Sequence, residues 1–525
     1  KMKIDIFFNR KKLFIIFLFL FSLSINQYYG NRGVFPIDSF VIFDAGFNII
    51  YGNHPFKDYW SITGPFLDYI QSVFFLIFGI NWFSYVFHAS LINMVFALYS
   101  FYFFLNIGLK NYYAFIYALG VSVLAYPSIG TPFVDHHSII FSVMALYSLS
   151  LGIIMQKNLF WFLTPLFLIF SFFSKQIPSP YLLILFTIII FVYFFMTKEL
   201  NKKNLFFLFL GSIFPFFIII SVFYINEIPF KNFFVQYVLY PFSLGEKRID
   251  NLDINFNNFV NQFKFIYLAL IPLLVSAFFM IKTEGKDFIK KKEFNILLLF
   301  LGSIIIIVYC QLLTRNQILI FFLIPISAAL SHAYTIKYYN KKYLIYFVLA
   351  IFVFSTGKYH MRFNHNKKFI ELENANFNIA EDVSQLDERL SGIKWITPDY
   401  NDRPLDEINL LINAKNILLE QKERKILVTD YQFLSSLLVN EFASPNKWYD
   451  DLSVPNKENK YYNDYKDFFL DKIINNKIKY IYFIGINKHT MDFFLEFKSK
   501  NDCVISKKLN DLLIEFDINK CNQIL

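Results

Sequence analysis

The sequence predicts an α-helical polytopic membrane protein with about 11 transmembrane helices, additional interfacial helices and a C-terminal α/β extramembrane domain. Three observations predict it. The 525-residue chain is 56% hydrophobic and 21% aromatic, with only 17% charged residues, a more apolar balance than a soluble domain carries. Up to about Thr356 long apolar runs alternate with short polar loops, whereas from Gly357 onward charges are spread throughout. Lys and Arg, finally, collect in alternate loops. The expected organisation is therefore residues 1–356 as a transmembrane domain and 357–525 as an extramembrane domain.

Runs long enough to span occur at about 13–29, 84–108, 112–127, 138–156, 159–173, 180–197, 204–225, 263–281, 294–313, 317–335 and 342–356, judged against ~20 residues for a bilayer core. The first follows Lys11-Lys12 and has no small-residue cleavage site after it, which is the pattern of a retained anchor. A further run, Phe66 to Ile80, covers only ~24 Å as a helix at ~1.5 Å per residue and is interrupted by Asp68 and Gln71. Charge decides its place. If it lies along the surface, the cytoplasmic loops hold about 18 Lys and Arg and the outer loops before the C-terminal domain seven, as the positive-inside rule requires. If it crosses, the Lys-rich loop 282–292 faces outward. The run is expected to be an interfacial helix. Loops 30–83, 128–137, 174–179, 226–262 and 314–316 then share the periplasmic face of a bacterial inner membrane with the C-terminal domain. This distribution also accounts for the net charge of +10 without a nucleic-acid partner.

In the C-terminal part, short apolar runs bounded by turn signals predict strands at Lys394–Thr397, Lys425–Thr429, Lys479–Ile484 and Leu512–Asp517. Helices are expected at Leu405–Gln421, after Pro404 in a first-turn position, and at Tyr431–Glu441. No phosphate-binding glycine loop, nucleophile elbow or internal repeat is present. Cys310 lies in an apolar span as packing. Cys503 and Cys521 are a candidate disulfide if the domain faces an oxidising compartment.

The chemistry concentrates in the first outer loop, Pro36 to Pro65. It carries Asp38, Asp44, Lys57 and Asp58 beside the bilayer, where ionisable groups are costly and mark function. Its pattern runs Asp38-Ser39, Ala45, Gly52, Pro55-Phe56-Lys57-Asp58-Tyr59-Trp60 and Gly64-Pro65, closing with Phe78-Gly79. This resembles the polytopic GT-C glycosyltransferases of the protein-mannosyltransferase and aminoarabinose-transferase type. The motif likeness is confined to 36–80, with weaker support at 131–137 and 174–176, and the likeness in topology extends over roughly 10–360.

The resemblance implies transfer of a sugar from a polyprenyl-phosphate-linked donor to a glycan, lipid or protein acceptor outside the cytoplasm, with Asp38 as the base. Deprotonating an acceptor hydroxyl during attack on the anomeric carbon is work a carboxylate does. A helix N-cap is the other role open to Asp38. Ser39 stands where the family usually has a second acid, a place Asp44 would take if it shared a helix face with Asp38. Lys175, Arg315 and Lys57 are candidate contacts for the carrier phosphate; snorkelling to headgroups is the alternative for such cations. Asp135, His136 and Asp58 are candidate acceptor-side groups. No metal-ligand spacing is evident, and a divalent ion at Asp135-His136 stays open as a cofactor. Loop 226–262, rich in aromatics, is a candidate lid. A flippase for lipid-linked glycans and a membrane glycan polymerase are the rival readings.

Overall fold

The computed structural model describes residues 2–197, 202–314, 320–438, 444–450, 452–486 and 504–521. In chain order the helices are α1 (Met2–Gly30), α2 (Pro36–Ser39), α3 (Val41–Ile50), α4 (Phe66–Phe78), α5 (Trp82–Asn106), α6 (Asn111–Leu124), α7 (Val134–Met155), α8 (Asn158–Ser174), α9 (Ser179–Thr197) and α10 (Lys202–Ile225). After these come α11 (Phe230–Phe233), α12 (Tyr240–Asp250), α13 (Lys264–Glu284), α14 (Lys292–Thr314), α15 (Leu323–Tyr334) and α16 (Lys342–Tyr359). The C-terminal part contributes α17 (Pro404–Glu420), α18 (Phe433–Leu437) and α19 (Tyr462–Asn475). Its strands are β1 (Glu381–Asp382), β2 (Lys394–Trp395), β3 (Lys425–Thr429), β4 (Tyr480–Ile484), β5 (Ile505–Lys508) and β6 (Leu513–Asp517).

Each expected apolar run falls on a helix, but their lengths differ. Among the described residues eight helices are long and apolar enough to cross a bilayer, built on α1, α5, α7, α9, α10, α13, α14 and α16. The other three runs form shorter helices. α6 stops where Tyr126-Pro127-Ser128 makes a 3-10 turn, since proline offers no amide to continue the ladder. α8 ends at Ser174, with Lys175 extended, and α15 runs on into a π turn, Thr335–Tyr339. The architecture is that of a multi-pass membrane protein: on α10, Phe209 and Phe217 stand 63% and 70% exposed, which only an apolar solvent tolerates at this density.

The chain divides into two compact units, and the division does not follow residue 356. One comprises 1–30, 86–220 and 248–369; the other comprises 31–85, 221–247 and 370–525. The segment that follows α1 thus clusters with the C-terminal residues. In the helical unit, α7 is almost wholly buried and polar side chains tie helices together. Asn93 Nδ2 donates to the carbonyls of Ser22 and Ser122, both at 3.0 Å. Asn26 Nδ2 donates to Gly130 O at 3.0 Å, where a Cβ on Gly130 (φ +87°) would strike the Gly30 backbone. Such bonds substitute for the hydrophobic driving force that lipid removes.

The second unit is built around a four-stranded sheet of order β3-β4-β6-β5, with β3 and β4 parallel and the other pairs antiparallel. Parallel neighbours need a crossover, and α19 supplies it by burying Tyr465, Phe469 and Ile473 in the core with Ile426, Val428, Ile481 and Phe483. α17 begins with Pro404, carries Asp406 and Glu407 in its first turn and buries Ile408, Leu411, Ala414 and Leu418, an apolar stripe at helical spacing. Strand β2 is shorter than expected and pairs with β1. Of the helix expected at 431–441, α18 forms Phe433–Leu437, and residues 439–441 lie outside the described residues. The segment 226–262, expected as a loop, contains α11, α12 and two π turns.

In the same unit α4 is amphipathic in an inverted sense. It buries Asp68, Gln71 and Ser72 while Val73, Leu76 and Ile77 are 47%, 70% and 66% exposed. With 13 residues it spans only ~20 Å, the length and surface of an interfacial helix.

Candidate functional site

The backbone that presents Asp38 is fixed by pairing with the C-terminal residues of its own unit. Gly33 N donates to Lys394 O (3.0 Å), Val34 N to Ile396 O (3.1 Å), and Lys394 N to Asn31 O (2.8 Å). Pro36 then opens α2, whose N-cap is Phe35. Asp38 therefore lies inside the first turn and is not the N-cap; it is Ser39 Oγ that accepts the Phe35 amide (2.9 Å). Phe40 closes α2 at φ −109°, ψ −6° and packs between Trp82, Trp395 and Phe433 at centroid distances of 4.6–5.9 Å. Tyr85 OH donates to Ser39 O (2.9 Å). Asp38, half-buried, is thereby oriented from both sides.

The bend at Phe40 places Asp44 on a different helix, so it does not stand on Asp38's face. Asp44 is 2% exposed. Its Oδ2 accepts from Asn48 Nδ2 (2.9 Å) and its Oδ1 from Ser435 Oγ. Burial pushes its pKa up to about 7, against the opposing hydrogen bonds from Ser435 and Asn48.

Residues 35–37 border a cavity of about 470 Å³ at one edge of the sheet. The register pairs Thr429 with Ile484 and Ile484 with Leu513, so the residues beyond this edge are Asp430, Gly485 and Leu512, all of which line it. Asp399, Tyr400, Tyr431 and Asp511 complete the polar wall. Burial, followed by the charge of Asp38, raises Asp430 to about 8, so the two carboxylates lie within electrostatic reach of each other. Behind the wall, Glu407 accepts from Tyr431 OH (2.5 Å), Trp395 Nε1 (2.8 Å) and Thr397 Oγ1 (2.8 Å).

The Pro55-Phe56-Lys57-Asp58 stretch forms a tight turn. Phe56 has φ +68°, its amide donates to Tyr59 O, and that of Asp58 to His54 O. Its ring packs on Phe223, Phe233 and Tyr237. Lys57 Nζ reaches Asn226 O (3.0 Å) and Glu227 (3.7 Å). Asp58 accepts the His54 amide (2.8 Å) and pairs with Lys472 (3.5 Å). Asp68 and Lys447 make an ion pair at 2.5 Å with side chains 0% and 1% exposed, supported by Tyr59 OH at 3.3 Å. Burial pushes Asp68 up and Lys447 down, each against the attraction of the other.

In the helical unit, Asp135 in the first turn of α7 meets Lys175 at the end of α8, Nζ to Oδ1 at 2.5 Å. Beside them Ile139, Ile177, Cys310, Gln311 and Thr314 enclose a pocket of about 10 Å³, room for about one water. His136 turns the other way, to Ser128 Oγ (3.1 Å), and His137 bonds Tyr126 and His88. Among the described residues no group of three His, Cys, Asp or Glu is placed to hold a metal ion. Arg315 and Cys503 lie outside the described residues; Cys521 is buried.

Sequence reasoning missed Asp399, Asp430, Glu407, Lys447 and Ser435. A signal existed for one: Asp430 directly follows a parallel strand, the position from which open α/β sheets present ligand-binding side chains.

No family model matches this chain, and no curated protein matches it. Among solved structures it is similar to crystal structures of the Archaeoglobus fulgidus oligosaccharyltransferase. The apo form is 13% identical with TM-score 0.44, over 89% of this chain and 70% of that chain. The complex with zinc and sulfate is 12% identical with TM-score 0.43, over 89% and 67%. The form tethered by a disulfide bond to an acceptor peptide with the NVT sequon is 12% identical with TM-score 0.43, over 89% and 69%.

Proposed function

We propose that this protein is a membrane glycosyltransferase that takes a sugar from a polyprenyl-phosphate carrier and passes it to an acceptor on the periplasmic side of a bacterial inner membrane. The observation that carries the reading is the setting of Asp38. A carboxylate is fixed in a short helix turn, half-buried, directly after three residues that border a ligand-sized cavity.

The Asp38 carboxylate accepts the proton of an acceptor hydroxyl as that oxygen bonds to the anomeric carbon. The bond from that carbon to the phosphate oxygen breaks, its electron pair stays on the phosphate, and the configuration inverts. Lys175 and Arg315 are the cations assigned to the departing polyprenyl phosphate. Lys175 is held by Asp135, which gives Asp135 the role of positioning that ammonium. Lys57 is engaged by residues 226 and 227 and takes a structural role in this scheme; Asp58, paired with Lys472, does the same.

The test is turnover of radiolabelled polyprenyl-phosphate sugars by purified protein, wild type beside Asp38→Asn. Transfer or donor hydrolysis that disappears in the variant while donor binding persists supports the assignment. A variant with full transfer refutes it, and a folded wild type that binds no such donor turns the reading to transport or polymerisation.

A further inference from the structure

The cavity beside α2 sits where β3 and β4 end, the edge at which open α/β sheets bind ligands. Its volume of about 470 Å³ falls within the range of small-molecule sites. The chemistry of its wall is one-sided. Asp399, Asp430 and Asp511 all line it, and among the described residues its lining contains no Lys or Arg; Lys508 pairs with Asp511 at 2.9 Å, both side chains mainly in solvent. Flat apolar surface comes from Phe35, Pro36, Phe483 and the rings of Tyr400 and Tyr431.

One acceptor atom stands out. Oδ1 of Asp430 is buried with no hydrogen-bond partner among the described residues, a condition native structures rarely leave unanswered. The wall around it is rigid. Tyr431 OH and Thr397 Oγ1 are both fixed on Glu407, and Gly485 (φ +62°) leaves no Cβ to strike the Tyr431 ring. A ligand for this space must bring hydrogen-bond donors and flat C–H faces, and must not bring negative charge.

We propose that the cavity is a sugar-binding subsite for the acceptor, selective for an uncharged or amine-bearing sugar and closed to anionic glycans. Only the word acceptor rests on the glycosyl-transfer reading; the binding selectivity stands on the cavity itself. Pyranose rings present C–H faces to aromatic side chains, hydroxyls or an ammonium donate to Asp399, Asp511 and the Oδ1 of Asp430, and a carboxylated or phosphorylated sugar brings a negative charge to a wall of acidic side chains in which no Lys or Arg stands among the described lining residues. The position next to residues 35–37 brings such a sugar to the segment that carries Asp38.

The full-length protein in nanodiscs is titrated calorimetrically with three probes: chitotriose, its fully de-N-acetylated trimer, and trigalacturonate. The expected result is binding of the first two and none of the third. Asp430→Asn, together with the solvent-facing Asp399→Asn as a variant that leaves the fold intact, should weaken the amine trimer tenfold or more and narrow the gap to trigalacturonate. Absence of binding by both neutral and amine trimers, trigalacturonate binding as tightly as they do, or indifference to both substitutions overturns the proposal. Donor hydrolysis by the same preparation is measured in parallel. Sugar binding without donor turnover contradicts the transferase reading and leaves the subsite standing, whereas donor turnover without sugar binding contradicts the subsite alone.

Discussion

Replacing Asp44 by asparagine should remove a pH dependence that runs opposite to that of a salt-bridged carboxylate. The side chain is 2% exposed, and burial raises its pKa from 3.8 to about 7. Above pH 3.8 the unfolded chain releases this proton while the folded chain retains it. Its contribution to stability is therefore fully present below 3.8 and is lost as pH rises through 7. At ~1.4 kcal/mol per tenfold step, that gap corresponds to about 4 kcal/mol. Asparagine keeps the shape, still accepts from Ser435 and cannot ionise. Allowing about 1 kcal/mol for the weaker hydrogen bonding, Asp44→Asn should be roughly 3 kcal/mol more stable than wild type at pH 8 and slightly less stable at pH 4. Thermal unfolding in detergent, followed by tryptophan fluorescence for both proteins across that range, gives the difference directly. A difference that does not change with pH would refute the reasoning, because it would mean that Asp44 ionises alike in the folded and unfolded chain.

Lys447→Met alone should cost about 3–5 kcal/mol by stranding the Asp68 carboxylate, and adding Asp68→Leu should recover most of the loss; melting of the two variants checks this. Gly485→Ala should lose roughly 1–2 kcal/mol for the left-handed backbone and abolish chitotriose binding by displacing the Tyr431 ring, read by melting and calorimetry. In the helical unit, Lys175→Gln should weaken binding of a short-chain polyprenyl phosphate about tenfold, whereas Asp135→Asn, which leaves the ammonium in place, should change it by no more than about threefold. Equal losses would make the pair structural.

The sequence was most informative where one periodicity dominated. Apolar runs located the helices, and the strands at 425–429, 480–484 and 513–517 lay inside or within one residue of their expected bounds, because each is a short apolar run with turn residues nearby. The interfacial character of α4 was legible from Asp68 and Gln71, whose burial beneath an apolar outer face is what their interruption of the run signalled. Strand β5, with every residue exposed, has no alternation to announce it. α19 mixes Asp, Lys and Tyr with its three core residues, which hides the stripe. Asp38 was found because it stands in a local motif. Asp430 and Asp399 were not, because what joins them to residues 35–37 is sheet register and chain crossing over more than 350 positions, which no local pattern encodes. The pairing of Lys175 with Asp135 was missed for the same reason: each was singled out alone, and only the packing of α7 on α8 brings them together.

The most direct test of the account is the fate of a polyprenyl-phosphate sugar on Asp38→Asn. The account predicts that the purified variant binds the donor as wild type does but neither transfers nor hydrolyses it, with the loss unrelieved by raising pH. Retained transfer at the wild-type rate by a correctly folded Asp38→Asn protein would contradict it.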